Sequence, residues 1–249
     1  MNRLAPHEVR IWTAELDAVS PERFVELLAL LDAEERERAG RKRIESDRRV
    51  FELAHGLLRL ALSSVAPVDP GAWRFEVEPG GRPYVAGAEA ALGLRFSLSH
   101  THGLAACAIA LERDVGVDAE ALTRELDVED LVRACLSDEE QVAFASVDES
   151  RRREELLARF TLKEAYLKAR GVGLALDLRS FAVSLDPPAL LTPPPDDEAS
   201  GWVFERRPAS PQHTLAVAAR RRSDERLRLR YFDGVPAREA RRAGPLTCE

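Results

Sequence analysis

Lysine is almost missing from this sequence. Of its 36 basic residues only Lys42, Lys163 and Lys168 are lysines, and arginine supplies the rest. A GC-rich coding bias accounts for the general pattern. Even so, Lys163 and Lys168 stand close together, and a lysine can lose its proton where an arginine cannot. Cysteine is scarce too: Cys107, Cys135 and Cys248 lie far apart without any C-x-x-C spacing. That argues against a disulfide framework or a zinc site, and fits a reducing cytosol. No apolar run approaches the roughly 18 residues a membrane helix needs, and the start MNRLAPHEVRIW has no apolar h-region of a secretory signal. Walker A, G-x-G-x-x-G and H-E-x-x-H patterns are absent. A net charge of −7 argues against general nucleic-acid binding. The expectation is a cytoplasmic protein acting on neither membranes nor nucleic acid.

What is present is ordinary globular composition: 249 residues, 45% apolar and 32% charged, enough for one large domain or two small ones. Charge is uneven, with an Arg-rich stretch from Arg36 to Arg59, an acidic stretch from Glu112 to Glu164 and a basic one from Arg220 to Arg242. Such an order could gather cations beside a site for anions, or simply be solvated helix faces.

Periodicity predicts a helix from Ser20-Pro21 to about Arg38 and another from Asp47 to Val65. A strand follows around Trp73–Val77, then a turn at Pro79–Pro83. Strands are expected at Leu94–Leu98, Leu104–Leu111 and Val115–Glu120, and helices at Val128–Cys135, Asp138–Ala145 and Arg153–Arg170. Later strands are Phe181–Leu185, Trp202–Arg206, Thr214–Ala219 and Leu227–Phe232, with the proline-rich Asp186–Ser200 as a loop. A long helix followed by three strands thus occurs twice. The fold class is α+β, in two similar lobes, each a long helix on a small, mainly antiparallel sheet. The division falls at residues 1–112 and 113–249, with the active site in the cleft between.

Four short patterns carry chemistry. In Val115–Glu120 (VGVDAE), strand alternation points Asp118 and Glu120 the same way. Two parallel carboxylates repel, and a hard cation such as Mg2+ relieves that, although D-x-E is also common at solvent-facing strand ends. In Phe160–Lys168 (FTLKEAYLK), Glu164 and Lys168 share one helix face, either as a surface ion pair or as ligand and phosphate partner. Phe96–His100 (FSLSH) offers hydrogen-bond donors at a strand end. Gly81-Arg82-Pro83 presents one arginine from a loop.

Together and in this order the four patterns resemble the Sfp-type 4′-phosphopantetheinyl transferases. Their motifs run G-K/R-P, F-N-x-S-H, V/I-G-V/I-D-x-E and F/W-S/T-x-K-E-A/S-x-x-K, and the likeness spans roughly Leu30 to Ala219. Ser97 departs from the usual asparagine. The resemblance implies two lobes related by a pseudo-twofold axis, and transfer of the phosphopantetheine arm of coenzyme A to a carrier-protein serine, leaving 3′,5′-ADP. It implies Mg2+, or Mn2+, on Asp118, Glu120 and Glu164, with Glu164 also the candidate base and Lys168 neutralising phosphate charge. His100 with Arg48 or Arg49 would meet the 3′-phosphate, and Arg82, Pro83, Ser99 and Lys163 the rest of coenzyme A. Apo carrier proteins would dock on Leu122–Cys135 through Leu126, Leu131 and Val132, and the duplicated chain is expected to be a monomer. Two rival readings are a coenzyme A-binding module without activity and a metal-dependent phosphohydrolase.

Overall fold

A computed structural model describes residues 3–222 and 225–237. The first half runs β1 (Glu8–Glu15), α1 (Pro21–Leu30), α2 (Ala33–Gly40), α3 (Glu45–Val65), β2 (Phe75–Val77), β3 (Pro83–Val85), β4 (Leu94–Thr101) and β5 (Leu104–Leu111). The second half runs β6 (Val115–Ala121), α4 (Val128–Cys135), α5 (Asp138–Ala145), α6 (Glu149–Arg170), β7 (Ala182–Leu185), β8 (Pro188–Thr192), β9 (Trp202–Ser210) and β10 (His213–Arg220). The two halves have the same order of elements. They also share strand order, β1-β5-β4 in one sheet and β6-β10-β9 in the other, so the repeat is fuller than helix plus three strands.

One strand breaks the correspondence. β11 (Arg228–Asp233) pairs in parallel with β1, from Glu8↔Arg228 to Thr13↔Asp233. The first sheet is thus completed by a strand from the far end of the chain, across the expected division at residue 112.

The molecule is four layers deep. Leu53, Leu57, Ala61 and neighbours on α3 pack with Trp12, Ala105, Cys107 and Ile109 of the first sheet. The other face of that sheet, Val9, Ile11, Ala106, Ala108 and Ala110, meets Val115, Val117, Ala119, Leu215, Val217 and Ala219 of the second. The alanines of β5 let the two sheets approach face to face. On the outer side of the second sheet, Leu162, Ala165, Tyr166 and Ala169 of α6 pack on Phe204, Ala216 and Ala218. A smaller cluster, Cys135, Leu136, Phe144 and Leu156, seats α4 and α5 on the start of α6.

Several boundaries differ from expectation for local reasons. The expected Ser20–Arg38 helix is two helices, because Asp32 caps α2. Its carboxylate accepts from Glu35 N (2.9 Å), and Glu35 accepts from Asp32 N (2.9 Å), a reciprocal capping box. β1 escapes an alternation reading because both its faces are buried. The proline-rich segment contains β8, paired with β7. Among the described residues no helix is long and apolar enough to cross a membrane.

Candidate active site

The site is built where α6 crosses β6. Gly116 makes that crossing possible: a Cβ there would collide with the Ala165 carbonyl oxygen. With helix and strand backbones in direct contact, the α6 face carrying Glu164 and Lys168 lies over the β6 face carrying Asp118. Lys168 Nζ donates to Asp118 Oδ1 at 2.6 Å. Asp118 Oδ2 is buried and has no hydrogen-bond partner. Glu120, one step along the same face, is held by Arg124 Nη1 at 2.6 Å and by the Thr101 hydroxyl at 3.4 Å.

These carboxylates are short of positive charge. Burial, then the charge of Asp118, pushes the Glu120 pKa up to about 7. The same two causes raise Glu164. Among the described residues no three His, Cys, Asp or Glu side chains stand close enough together, as placed, to hold a metal ion. Even so, an orphaned carboxylate oxygen beside two carboxyls that resist ionising is the chemistry a hard divalent cation relieves, and the donor set is all oxygen. The residues fit such an ion.

A pH dependence follows. A carboxyl with its folded pKa raised favours folding while protonated, and that contribution is lost as pH rises from the unfolded value through the folded one. In EDTA the melting temperature should therefore fall between pH 4.5 and about 7 through Glu120, by up to about 3 kcal/mol in stability. Mg2+ at pH 8 should restore it. Thermal melts with and without the ion test this, and a curve flat in pH and blind to Mg2+ would contradict it.

Beside this acidic group lies a basic one. Phe51 on α3 is ringed by His55 (ring centroids 4.2 Å apart), His100 (5.9 Å), Lys42 Nζ (5.1 Å) and Arg38 (5.4 Å). Burial, then the charges of Lys42, His55 and Lys168, lowers the His100 pKa to about 4. His100 is thus neutral near pH 7, and Lys42 and Arg38 carry the charge. Next to α6, the loop Pro79–Pro83 walls a cleft of about 610 Å³ with Phe96, Leu98, Glu164, Leu167 and Lys168.

Comparison with known proteins decides the family. Residues 114–218 match the 4′-phosphopantetheinyl transferase superfamily. The 4′-phosphopantetheinyl transferase HetI of Nostoc sp. is 35% identical over 185 residues, covering 74% of this chain and 77% of that protein. The chain belongs to the 4′-phosphopantetheinyl transferase superfamily. Sfp of Bacillus subtilis is 24% identical over 201 residues, 81% of this chain and 87% of Sfp. A holo-(acyl-carrier-protein) synthase from Bacillus anthracis, solved in complex with CoA (3′,5′-ADP), aligns with 22% identity over 43% of this chain and 94% of that one, at a TM-score of 0.34 that carries no fold argument. The chain is a phosphopantetheinyl transferase using coenzyme A and carrier proteins, and neither rival reading is favoured.

Within this transferase the expected site residues divide. Lys168 and Ser99 meet Asp118, and Glu120 and Glu164 lie within reach of its charge. Arg48 and Arg49 do not join His100. Arg48 leans toward Glu45 (3.9 Å) and Glu52 (4.0 Å), and Arg49 stacks over Phe24 at 4.9 Å. The cation beside His100 is Lys42, and the scarcity of lysine was the signal available for it. Lys163 is also corrected. Its side chain is 0% exposed, paired with Glu140 and donating to the carbonyls of Cys135 (2.9 Å), Leu178 (2.8 Å) and Phe181 (2.8 Å). One step of α6 away from Glu164, it faces the interior and staples α4, α5 and β7 to the helix. Arg82 lines the cleft but is held by Glu78 (3.0 Å), Asp114 (2.8 Å) and the Ala169 carbonyl (3.0 Å), so it links the loop to the end of α6. Pro83 lies on the same loop wall. Leu126, Leu131 and Val132 are half-buried against the cluster beneath α4.

Proposed function

We propose that the acidic group on β6 and α6 and the basic group around Phe51 form one site for coenzyme A, transferring its 4′-phosphopantetheine arm to a serine of an apo carrier protein and releasing 3′,5′-ADP. The observation that carries this reading is strand β4: Ser99 touches Asp118 on one side (2.8 Å) and the next residue, His100, meets Phe51 on the other. A cation-hungry centre and an anion-binding centre thus stand one residue apart, which suits a pyrophosphate with a separate 3′-phosphate.

Asp118, Glu120 and Glu164 would hold Mg2+ or Mn2+, which when bound neutralises pyrophosphate charge and polarises phosphorus toward attack. The remaining work falls to the chain's own groups. Glu164, whose pKa is raised by burial and then by the charge of Asp118, is the candidate acceptor for the carrier serine proton. Lys168 offers an ammonium to the phosphate oxygens and the leaving group. Neutral His100 donates a hydrogen bond to the 3′-phosphate, and Lys42 supplies charge there. Leu126, Leu131 and Val132 border the surface where the carrier would dock. The enzyme is read as a cytoplasmic monomer.

Intact mass spectrometry of an apo carrier protein incubated with the enzyme, coenzyme A and Mg2+ tests the reading. The carrier should gain one phosphopantetheine arm, and EDTA should prevent it. No gain across several unrelated carriers would overturn it. Lys42→Ala and His100→Ala should each raise the KM for coenzyme A about 10-fold, the loss of one charge-assisted or neutral hydrogen bond, with kcat changed little. Only the Lys42 effect should shrink at high salt. Steady-state kinetics at two ionic strengths check both.

A further inference from the structure

Strand β6 ends at Ala121 and the chain turns at once, with Arg124 N donating to the Ala121 carbonyl at 3.0 Å. Neighbours pin that turn on two sides. Leu122 N donates to the Gln212 carbonyl (2.8 Å), and Arg153 Nε of α6 donates to the Leu122 carbonyl (2.8 Å). The backbone of Arg124 is therefore placed by the β9–β10 turn and by α6, not by its own side chain. From there the side chain reaches back to Glu120, Nη1 to Oε1 at 2.6 Å. Its guanidinium also lies 5.6 Å from the ring centre of Phe160, one helical turn before Glu164 on the same face of α6. Arg124 thus bridges the strand and the helix that carry the acidic group.

The two partners differ in what each can do without the other. The Glu120 side chain is 12% exposed and the Arg124 side chain 43%. A carboxylate so enclosed needs a counter-charge. A half-exposed guanidinium can turn toward water, or stay on Phe160, at little cost. Lys168 is engaged with Asp118, and the Thr101 hydroxyl, at 3.4 Å, is a weak partner. The charge on Glu120 is therefore answered mainly by Arg124. A divalent ion drawn to the same carboxylate meets that guanidinium as a like charge at close range.

We propose that Arg124 is the internal counter-ion of Glu120 and competes with the divalent cation for that carboxylate, so that it sets how tightly the centre holds its metal. Binding the ion turns Arg124 off Glu120, and the protein alone holds the ion loosely. The inference rests on the reading that Glu120 is a metal ligand of the transfer site.

Mn2+ titrations of the full chain, followed by water-proton relaxation at pH 8 without coenzyme A or carrier, test this. Loss of binding in Asp118→Asn locates the ion. Arg124→Ala should tighten Mn2+ binding about 10-fold, the weight of one like charge beside a divalent ion at a partly exposed site. Arg124→Lys keeps the charge and should stay within about threefold of wild type. Arg133→Ala removes the same charge from nearby α4, where its partner is Asp130, and should change the Kd less than about twofold. In EDTA, Arg124→Ala should melt earlier than wild type, and saturating Mn2+ should raise its melting temperature by more than it raises that of wild type. An unchanged Mn2+ Kd in Arg124→Ala would overturn the proposal, leaving a surface ion pair. A weaker Kd would overturn it too, making Arg124 the group that holds Glu120 ready for the ion. Mn2+ bound by neither wild type nor Arg124→Ala would overturn the proposal and the metal reading together. Wild-type protein that binds Mn2+ but transfers nothing would sink the transfer reading alone, and the Kd comparison would still decide the role of Arg124.

Discussion

Glu164→Gln is expected to reduce transfer about 10³-fold, the cost of removing one charged group aimed at a reacting centre, while leaving the protein at least as stable as before. The two halves of that expectation have one cause. Burial and the neighbouring charge of Asp118 raise the Glu164 pKa, so its ionised form is unfavourable in the folded protein. A neutral amide of the same shape removes that cost, so stability and activity pull apart as they do at sites strained for function. Mass-spectrometric transfer assays and thermal melts in EDTA, run on one preparation, measure both. A variant that loses activity only because it melts earlier would show Glu164 to be structural.

Lys163→Met should give the opposite pattern. The ammonium is enclosed by Glu140 and three backbone carbonyls. Removing it leaves a buried carboxylate that also accepts from the Val183 and Ser137 amides without its counter-charge. Breaking one side of a buried pair costs about 3–5 kcal/mol, which for a chain this size lowers the melting temperature by about 10 °C. The protein that remains folded should bind coenzyme A with wild-type affinity, because no part of Lys163 reaches the site. Calorimetric melts and a coenzyme A titration below the transition separate the two effects. Loss of affinity without loss of stability would restore Lys163 to the site.

The contrast between Lys163 and Lys168 marks where the sequence could be read and where it could not. The spacing Glu164–Lys168 fixes a shared helix face, and Asp118–Glu120 a shared strand face, so that part of the centre was legible from periodicity. Lys163 sits in the same motif, and composition alone cannot tell an ammonium locked in the interior from one facing a ligand. That depends on Glu140, which only the three-dimensional path of α5 brings near. The alternation that aligned Asp118 with Glu120 also separates Ser99 from His100 on β4. Applied there, it would have divided the two residues that the motif presents as a pair. Lys42 lay outside every motif, and its approach to Phe51 depends on the break between α2 and α3. The element order was largely readable because most helices have one apolar face and the buried strands β5 and β10 are nearly unbroken apolar runs. β1 was not, because Glu8, Arg10 and Thr13 are buried in it, so it shows neither an apolar run nor a polar face. The Gly116 contact likewise depends on a helix backbone that arrives from fifty residues away.

The parallel strand β11 bears on how many ligands one chain can carry. Two halves with the same strand order would, left to themselves, offer two equivalent crevices, one between β4 and β6 and its counterpart between β9 and β1. β11 occupies the β1 edge where the counterpart would open, and Asp118, Glu164 and Lys168 have no matching trio among the described residues of the first half: Arg59, late in α3, is instead buried against Asp32 and Glu35. The duplication therefore yields a scaffold of twofold origin with a valency of one. Calorimetric titration should show a single coenzyme A bound per chain.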